Sequence, residues 1–145
     1  MNYAIIDGTT VKNTGTIQQL FPNTSFPVSG VTTDFLTENN VVELVETLSY
    51  TTPTQKLITV DPYVQSGKAY NVKVENTTTE EQATLTSQKW IEIREIRNQI
   101  LKDTDWRASS DLTLSDDWKK YRNDLRQIPQ TQTDPFNITW PTSPS

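Results

Sequence analysis

The sequence predicts an α+β protein with a small N-terminal antiparallel β lobe, an α-helical hairpin and an extended, Pro-rich C-terminal tail. Residues 1–76 are rich in Thr, Val, Pro and Asn, which favours strands and loops. Residues 78–128 hold most of the arginines and show helical periodicity, whereas the last residues are punctuated by Pro. We therefore predict a β lobe at 1–76, a helical hairpin at 77–129 and a tail at 130–145.

Short apolar runs separated by turn residues indicate the β lobe. The run Asn2–Ile6 ends at Asp7-Gly8, and Asp-Gly between β-forming residues is typical of a hairpin turn. VVELVETLSYTT predicts one strand, and QKLITV and YNVKVEN predict two more around a turn in DPYVQSGK. TTDFLTENN predicts a short helix capped by Thr33, and the Pro-containing LFPNTSFPVSG predicts a loop.

Two helices are predicted in the second half of the chain. Thr78 followed by Glu81 forms a capping-box pattern, so the first helix should begin there and run to about residue 102. The second helix should begin at Ser115 and end before Pro129, because proline disfavours a continuing helix. The short segment between them predicts that the helices fold back on each other.

Two arginines fall on the apolar faces of these helices. Arg97 lies three or four residues from Ile and Leu positions, and Arg122 lies close to Trp118 and Leu125. A buried charge needs a partner, so we predict that Arg97 pairs with Asp105 or Asp111. Trp106 or Trp118 can stack on a guanidinium. The favoured interpretation of this network is a structural staple, and the alternative is an anion or substrate site; its members are Arg97, Arg122, Asp105 and Asp111.

Composition limits the classes of function. The apolar fraction is 33% and the mean hydropathy is -0.63, which predicts a thin core that gains stability from a partner. The net charge of -5 argues against nucleic-acid binding, because phosphates need clustered Lys and Arg. The sequence has no long apolar run and no signal-peptide pattern, so we expect no membrane partner.

The residues for common catalytic and metal chemistry are scarce. Cys and His are absent, which removes thiol nucleophiles, the usual neutral-pH base and the commonest metal ligands. No Gly-rich phosphate loop occurs, and the acidic segment after Asp103 lacks the Gly and Glu of an EF-hand loop. We therefore predict no enzyme activity, no catalytic residues, no cofactor and no metal site.

Aromatic side chains remain as the most prominent feature. Phe136 and Trp140 lie in a Pro-rich tail, which should either pack back on the helices or dock on a partner. Trp and Tyr are enriched where proteins bind each other. The candidate partner-binding residues are Trp90, Trp106, Trp118, Tyr121, Phe136 and Trp140.

These patterns together resemble a known family. IREIRNQILKDTDW, an acidic loop, WKKYRNDLRQIP and ITWPTSP, over about residues 80–144, resemble the tail assembly chaperone-like domain of tailed phages. The YAII opening and LFPNTSFP resemble tail-fibre-associated proteins of marine cyanobacterial phages. The sequence departs from the family pattern at Arg107, where Thr is favoured, and at Gln127, where Asp is favoured. The matching positions are Arg94, Arg97, Asn98, Leu101, Asp105, Trp106, Tyr121, Arg122, Leu125, Arg126, Ile128, Pro129, Trp140 and Pro141.

The resemblance implies a non-enzymatic structural protein that binds phage tail-fibre or baseplate proteins, as an oligomer or within a larger assembly. Its expected place is the virion tail, or the host cytoplasm during assembly. One alternative is a transient tail-fibre assembly chaperone that is absent from the mature virion. A second alternative, from another class, is a host-glycan-binding or small hydrolytic tail protein. Trp side chains in an open cleft beside two carboxylates would favour that alternative, and buried Trp side chains would oppose it.

Overall fold

The chain forms two compact units in a computed structural model that describes residues 1–109 and 111–145. The N-terminal unit spans Met1–Asn76 and the C-terminal unit spans Thr77–Ser145. The first is rich in strands and the second in helices, so the α+β class is confirmed.

The N-terminal unit is a closed five-stranded barrel with strand order β1-β2-β4-β5-β3. Neighbouring strands pair antiparallel, except that β3 pairs parallel with β5. The antiparallel lobe predicted from the sequence is therefore found in four of the five strand pairs and is wrong for the β3–β5 pair, because alternation along a strand does not encode which distant strand it meets. The strands are β1 (Tyr3–Asp7), β2 (Thr10–Gly15), β3 (Val41–Val45), β4 (Gln55–Gln65) and β5 (Lys68–Asn76).

Alanine and branched aliphatic residues form the hydrophobic core of the barrel. Ala4, Leu44 and Ala69 are buried, and Ile6, Val11 and Val42 pack against them. Two short helices, α1 (Ile17–Leu20) and α2 (Thr33–Glu38), lie in the connection between β2 and β3. The first was not predicted, although Thr16 and Gln19 form a capping box there. The cap of α2 is Thr32 rather than Thr33.

The predicted turn in DPYVQSGK is shorter than expected. β4 continues past Pro62, and only Ser66 and Gly67 adopt the positive φ of a tight turn. The pairing of β4 with β5 is irregular between Thr59 and Tyr63, and proline is tolerated at such an irregularity because it donates no ladder hydrogen bond.

The C-terminal unit contains two long helices joined by a 3-10 turn. They are α3 (Thr79–Asp103) and α4 (Asp116–Thr131), and the turn spans Asp105–Ala108. The predicted caps are present: Thr78 and Glu81 form a capping box, and Ser115 caps α4. The predicted end of α4 was wrong, since the helix includes Pro129. Proline there removes one hydrogen-bond donor in the last turn, while the following turn still closes from Gln132 N to Ile128 O at 3.0 Å.

One hydrophobic cluster holds the C-terminal unit together. Leu125 and Ile128 of α4 are the largest fully buried side chains, and Ile93 of α3 packs with them. Helix α3 thus contributes a single buried residue and α4 most of the buried cluster. The helical hairpin as such stays a prediction. The buried members are Ile93, Trp118, Tyr121, Leu125 and Ile128, and Trp90, Ile100, Leu101, Leu114, Ile138 and Trp140 pack around them.

Leu125→Ala should destabilise the C-terminal unit by about 2–5 kcal/mol, because it opens a cavity at a completely buried site. All four Trp residues lie between 90 and 140, so urea unfolding followed by Trp fluorescence reports this unit. Ile91→Ala is the control: Ile91 is 56% exposed on α3, and its truncation should change the free energy of unfolding by less than about 0.5 kcal/mol. Equal effects of the two changes would contradict the described core.

Candidate functional site

The predicted aromatic residues divide into buried and accessible groups. Trp118 and Tyr121 are core residues at 8% and 9% exposure, and their rings meet edge to face at 5.5 Å. The prediction that they are presented to a partner therefore needs correction. Trp90 and Trp140 are half-buried against the same cluster, and Phe136 is half-buried. Trp106 is 58% exposed and offers the largest accessible aromatic surface of the set.

Arg122 is the buried cation of the C-terminal unit, with 4% exposure. Its Nη1 donates to the Leu101 carbonyl at 2.8 Å and to Thr104 Oγ1 at 2.5 Å. Its Nη2 donates to Asp105 Oδ1 at 2.5 Å and forms an ion pair with that carboxylate. Helix α4 is thereby bonded to the end of α3 and to the start of the 3-10 turn.

The acceptors around Arg122 suit a cation for a general reason. The last carbonyls of a helix lack intrahelical partners and carry the negative end of the helix dipole. Leu101 lies in the last turn of α3, and the Thr104 hydroxyl also lies 3.0 Å from the Ile100 carbonyl. The Leu101 carbonyl also accepts from Thr104 N at 3.2 Å and from Thr104 Oγ1 at 3.1 Å, so the guanidinium adds to the hydrogen bonds that close the helix end. The side chain of Asp105 is 65% exposed, so its carboxylate is open to solvent on one side.

Arg97 does not occupy the position predicted for it. Its guanidinium donates to Asn98 Oδ1 at 2.9 and 3.1 Å, and the side chain is half-buried. Asp105, one of its two predicted partners, pairs with Arg122 instead. Asp111, the other, is exposed. Helical periodicity places an arginine on a face, but the choice of carboxylate depends on where the connecting turn leads.

Arg107, which lies in the 3-10 turn, was not among the predicted site residues. Its guanidinium carbon is 4.5 Å from the ring centre of Trp106 and 3.8 Å from that of Trp118. Each cation–π contact contributes about 0.5–2 kcal/mol, depending on how far the pair is removed from water. A stack of Trp106 or Trp118 on a guanidinium was anticipated, but Arg107 was noted only as a departure from the family pattern.

The segment after α4 is fastened to the helix and to the cluster. The Gln132 side chain donates to the Thr139 carbonyl and accepts from its N–H, both at 2.8 Å. Ile138 and Trp140 then pack against the core.

Asp134 shapes the turn that precedes this contact. Hydrogen bonds from the Asn137 side chain and the Phe136 N–H lower the pKa of its carboxyl group. The ionised form is thus favoured in the folded chain. Its contribution to the turn is present above the ordinary carboxyl pKa and is lost as pH falls through the lowered one.

The described part of the C-terminal unit carries at least three open grooves. One, of about 570 Å³, lies between α4 and residues 141–145, and includes Asp117 and Asp124. Asp124 forms a hydrogen-bonded ion pair with Lys120 one turn earlier on α4. Another, of about 300 Å³, lies beside Trp106 and Arg107. A third, of about 350 Å³, is lined by Asp124 and Trp140 among others. Trp118 and Tyr121 offer the first groove little surface because both are about nine-tenths buried.

Within residues 1–109 and 111–145, no group of three or more acidic side chains is arranged to hold a metal ion. None of the helices in the same ranges is long and apolar enough to cross a bilayer.

Asp105→Asn should lower the free energy of unfolding of the C-terminal unit by about 1–3 kcal/mol, because it leaves a buried guanidinium without its carboxylate. Asp111→Asn is the matched control at an exposed site and should have an effect below about 0.5 kcal/mol. Urea unfolding followed by Trp fluorescence measures both. A larger effect at Asp111 than at Asp105 would show that the ion pair is wrongly described.

Comparison with known proteins gives one family. Residues 90–145 match the family model described as phage tail assembly chaperone protein. No curated protein and no solved structure matches the chain. The matched range contains Arg107, Trp118, Arg122 and the segment that carries Trp140, and it begins at Trp90 within α3. The resemblance to a phage tail assembly chaperone-like family that the sequence suggested is thereby confirmed over residues 90–145 of the chain.

Proposed function

We propose that this chain is a non-enzymatic phage tail or tail-fibre-associated protein that binds other tail proteins through its C-terminal unit. The observation that carries the proposal is the family match over residues 90–145, which supports a role in phage tails. In this proposal α3 and α4 form a helical hairpin, and the Pro-rich tail extends along it.

The contact surface in this proposal is smaller than the sequence suggested. Trp106 is its exposed aromatic residue, and the half-buried Trp90, Phe136 and Trp140 can add area at the edges. Aromatic side chains at interfaces contribute much of the binding free energy when a partner excludes water from them. The exposed Trp106 therefore is the first candidate for a contact with a tail-fibre or baseplate protein.

A transient assembly chaperone is the second candidate function, and the description of the matched family favours it. Both candidates need a binding surface, and they differ in whether the chain stays in the finished particle. Its place is the virion tail in the first case and the host cytoplasm during assembly in the second.

The glycan-binding or hydrolytic alternative gains little support from the geometry. The groove that contains two carboxylates offers almost no Trp surface, and Asp124 within it is paired with Lys120. The exposed Trp106 instead lies beside a cation. Neither of these two grooves therefore combines an accessible Trp with a pair of acids, and the groove beside the half-buried Trp140 has a single acid, Asp124, in its described lining.

Quantitative mass spectrometry of purified phage particles should find this chain in a fixed ratio to a fibre or baseplate protein if it is a structural component. If it is a transient chaperone, it should be missing from particles but co-purify with fibre protein from infected cells. Failure to associate with any tail protein in either sample would contradict both forms of the proposal.

Trp106→Ala should reduce this association by about tenfold or more, which is the range of an aromatic hot spot. Tyr50→Ala is the control, since Tyr50 is an exposed aromatic residue of the N-terminal unit at 49% exposure. A loss with Tyr50→Ala and none with Trp106→Ala would place the contact on the barrel and overturn the assignment to the C-terminal unit. Association is measured as the amount of fibre or baseplate protein retained per tagged chain.

A further inference from the structure

Arg107 combines a fixed position with unused hydrogen-bonding capacity. The rings of Trp106 and Trp118 both lie within the cation–π range of its guanidinium, and the side chain is half-buried. Within residues 1–109 and 111–145, no hydrogen bond or ion pair of that guanidinium is formed. The group is thus partly desolvated and held in place, while its N–H donors stay open to an incoming acceptor.

Three arginines on the two long helices differ from Arg107. Arg122 has three acceptors and is closed to solvent. Arg97 donates to Asn98. Arg94 is exposed and lies over one ring only, at 5.8 Å from Trp90. Arg107 alone among these four arginines is held by two rings without a hydrogen-bonded partner.

The groove beside Arg107 has a composition suited to one kind of ligand. Its lining combines Leu112, Leu114 and the two indoles with the hydroxyls of Thr113 and Ser115, and none of the described lining residues is acidic. A ligand would meet one cation, apolar walls and a few hydroxyls. Because the guanidinium is already positioned, little side-chain entropy is lost when a planar anion binds to it.

We propose that Arg107 and the two indoles form a site for a carboxylate, namely an Asp or Glu side chain on an extended segment of a partner protein. A carboxylate can accept two parallel hydrogen bonds from the guanidinium, and its aliphatic stem would lie against the indole of Trp106. This inference rests on the proposed role as a tail-protein binder, and it names the chemistry of the partner.

A nucleic acid is a poorer occupant of this site. Binding a phosphate chain requires several clustered cations, whereas the lining of this groove contains one, on a chain with a net charge of -5. A lone cation in an apolar groove instead suits one acidic side chain set among apolar neighbours.

The test is a titration of the full-length, ¹⁵N-labelled chain with an acetylated and amidated tetraglutamate peptide, followed through the arginine Nε–H signals. The Arg107 signal should shift saturably, and the shift should weaken with added salt. Tetraglutamine is the neutral control peptide. Inorganic phosphate and a short oligothymidylate are the competing anions.

Arg107→Gln should weaken tetraglutamate binding by about tenfold or more, since it removes the charge and the fork of donors. Arg107→Lys should lose less, because the charge remains but the fork does not. Arg94→Gln is the matched control and should stay within about twofold of the parent chain. If Arg107→Gln lowers the melting temperature of the unit, the affinity of Arg107→Lys for tetraglutamate is compared with that of the parent chain instead.

Several outcomes would overturn the proposal. These are equal binding of tetraglutamine, no shift with any probe, unchanged affinity in Arg107→Gln, or tighter binding of phosphate or oligothymidylate than of tetraglutamate. The particle and co-purification experiments do not depend on Arg107. If the chain associates with tail proteins but does not bind tetraglutamate, the carboxylate site is refuted and the proposed function is not.

Discussion

The C-terminal unit depends on one buried guanidinium. Arg122 of α4 donates hydrogen bonds to the Leu101 carbonyl, the Thr104 hydroxyl and the Asp105 carboxylate. These bonds connect α4 to the end of α3 and to the start of the 3-10 turn. A charge removed from water requires such acceptors, which is why the end of α3 and the 3-10 turn must stay close to α4. Trp118 lies one turn before Arg122 on the same helix, and Arg107 follows Asp105 in the turn. The cation–π contact between Arg107 and Trp118 therefore follows from the pairing of Arg122 with Asp105.

Hydrogen bonds and the buried ion pair are important for the stability of the C-terminal unit because its apolar core is small. Leu125 and Ile128 are the largest side chains that are completely buried, and much of the surrounding cluster is only partly covered. Ile138 and Trp140 complete it from the segment after α4, held by the paired hydrogen bonds of Gln132. A unit built in this way leaves aromatic edges at its surface, and these are the edges that a partner can cover. The architecture thus agrees with a protein that works by association.

Local signals in the sequence predicted local structure well. The capping box at Thr78 and the cap at Ser115 place both long helices, because side-chain capping depends only on residues a few positions apart. Pro129 was misleading, since a proline in a last turn removes one donor without ending the helix. Closure of the barrel and the parallel pairing of β3 with β5 depend on contacts between distant segments, which alternation within a strand cannot specify.

The candidate site shows the same division between local and distant information. Helical periodicity predicted that Arg122 faces inward, and the structure confirms this. The Asp105 carboxylate, which was predicted as a partner of Arg97, pairs with Arg122 instead. Arg107 lies outside both long helices, so no periodic pattern could reveal its contact with Trp118.

The most direct test of this account is NMR of the arginine side chains in the folded, ¹⁵N-labelled chain. A guanidinium with three fixed acceptors should give separate Nη proton signals for Arg122 that exchange slowly with water, unlike those of the exposed Arg94 and Arg126. That result would establish the buried pairing on which the unit depends. Averaged, rapidly exchanging signals from every arginine would contradict it.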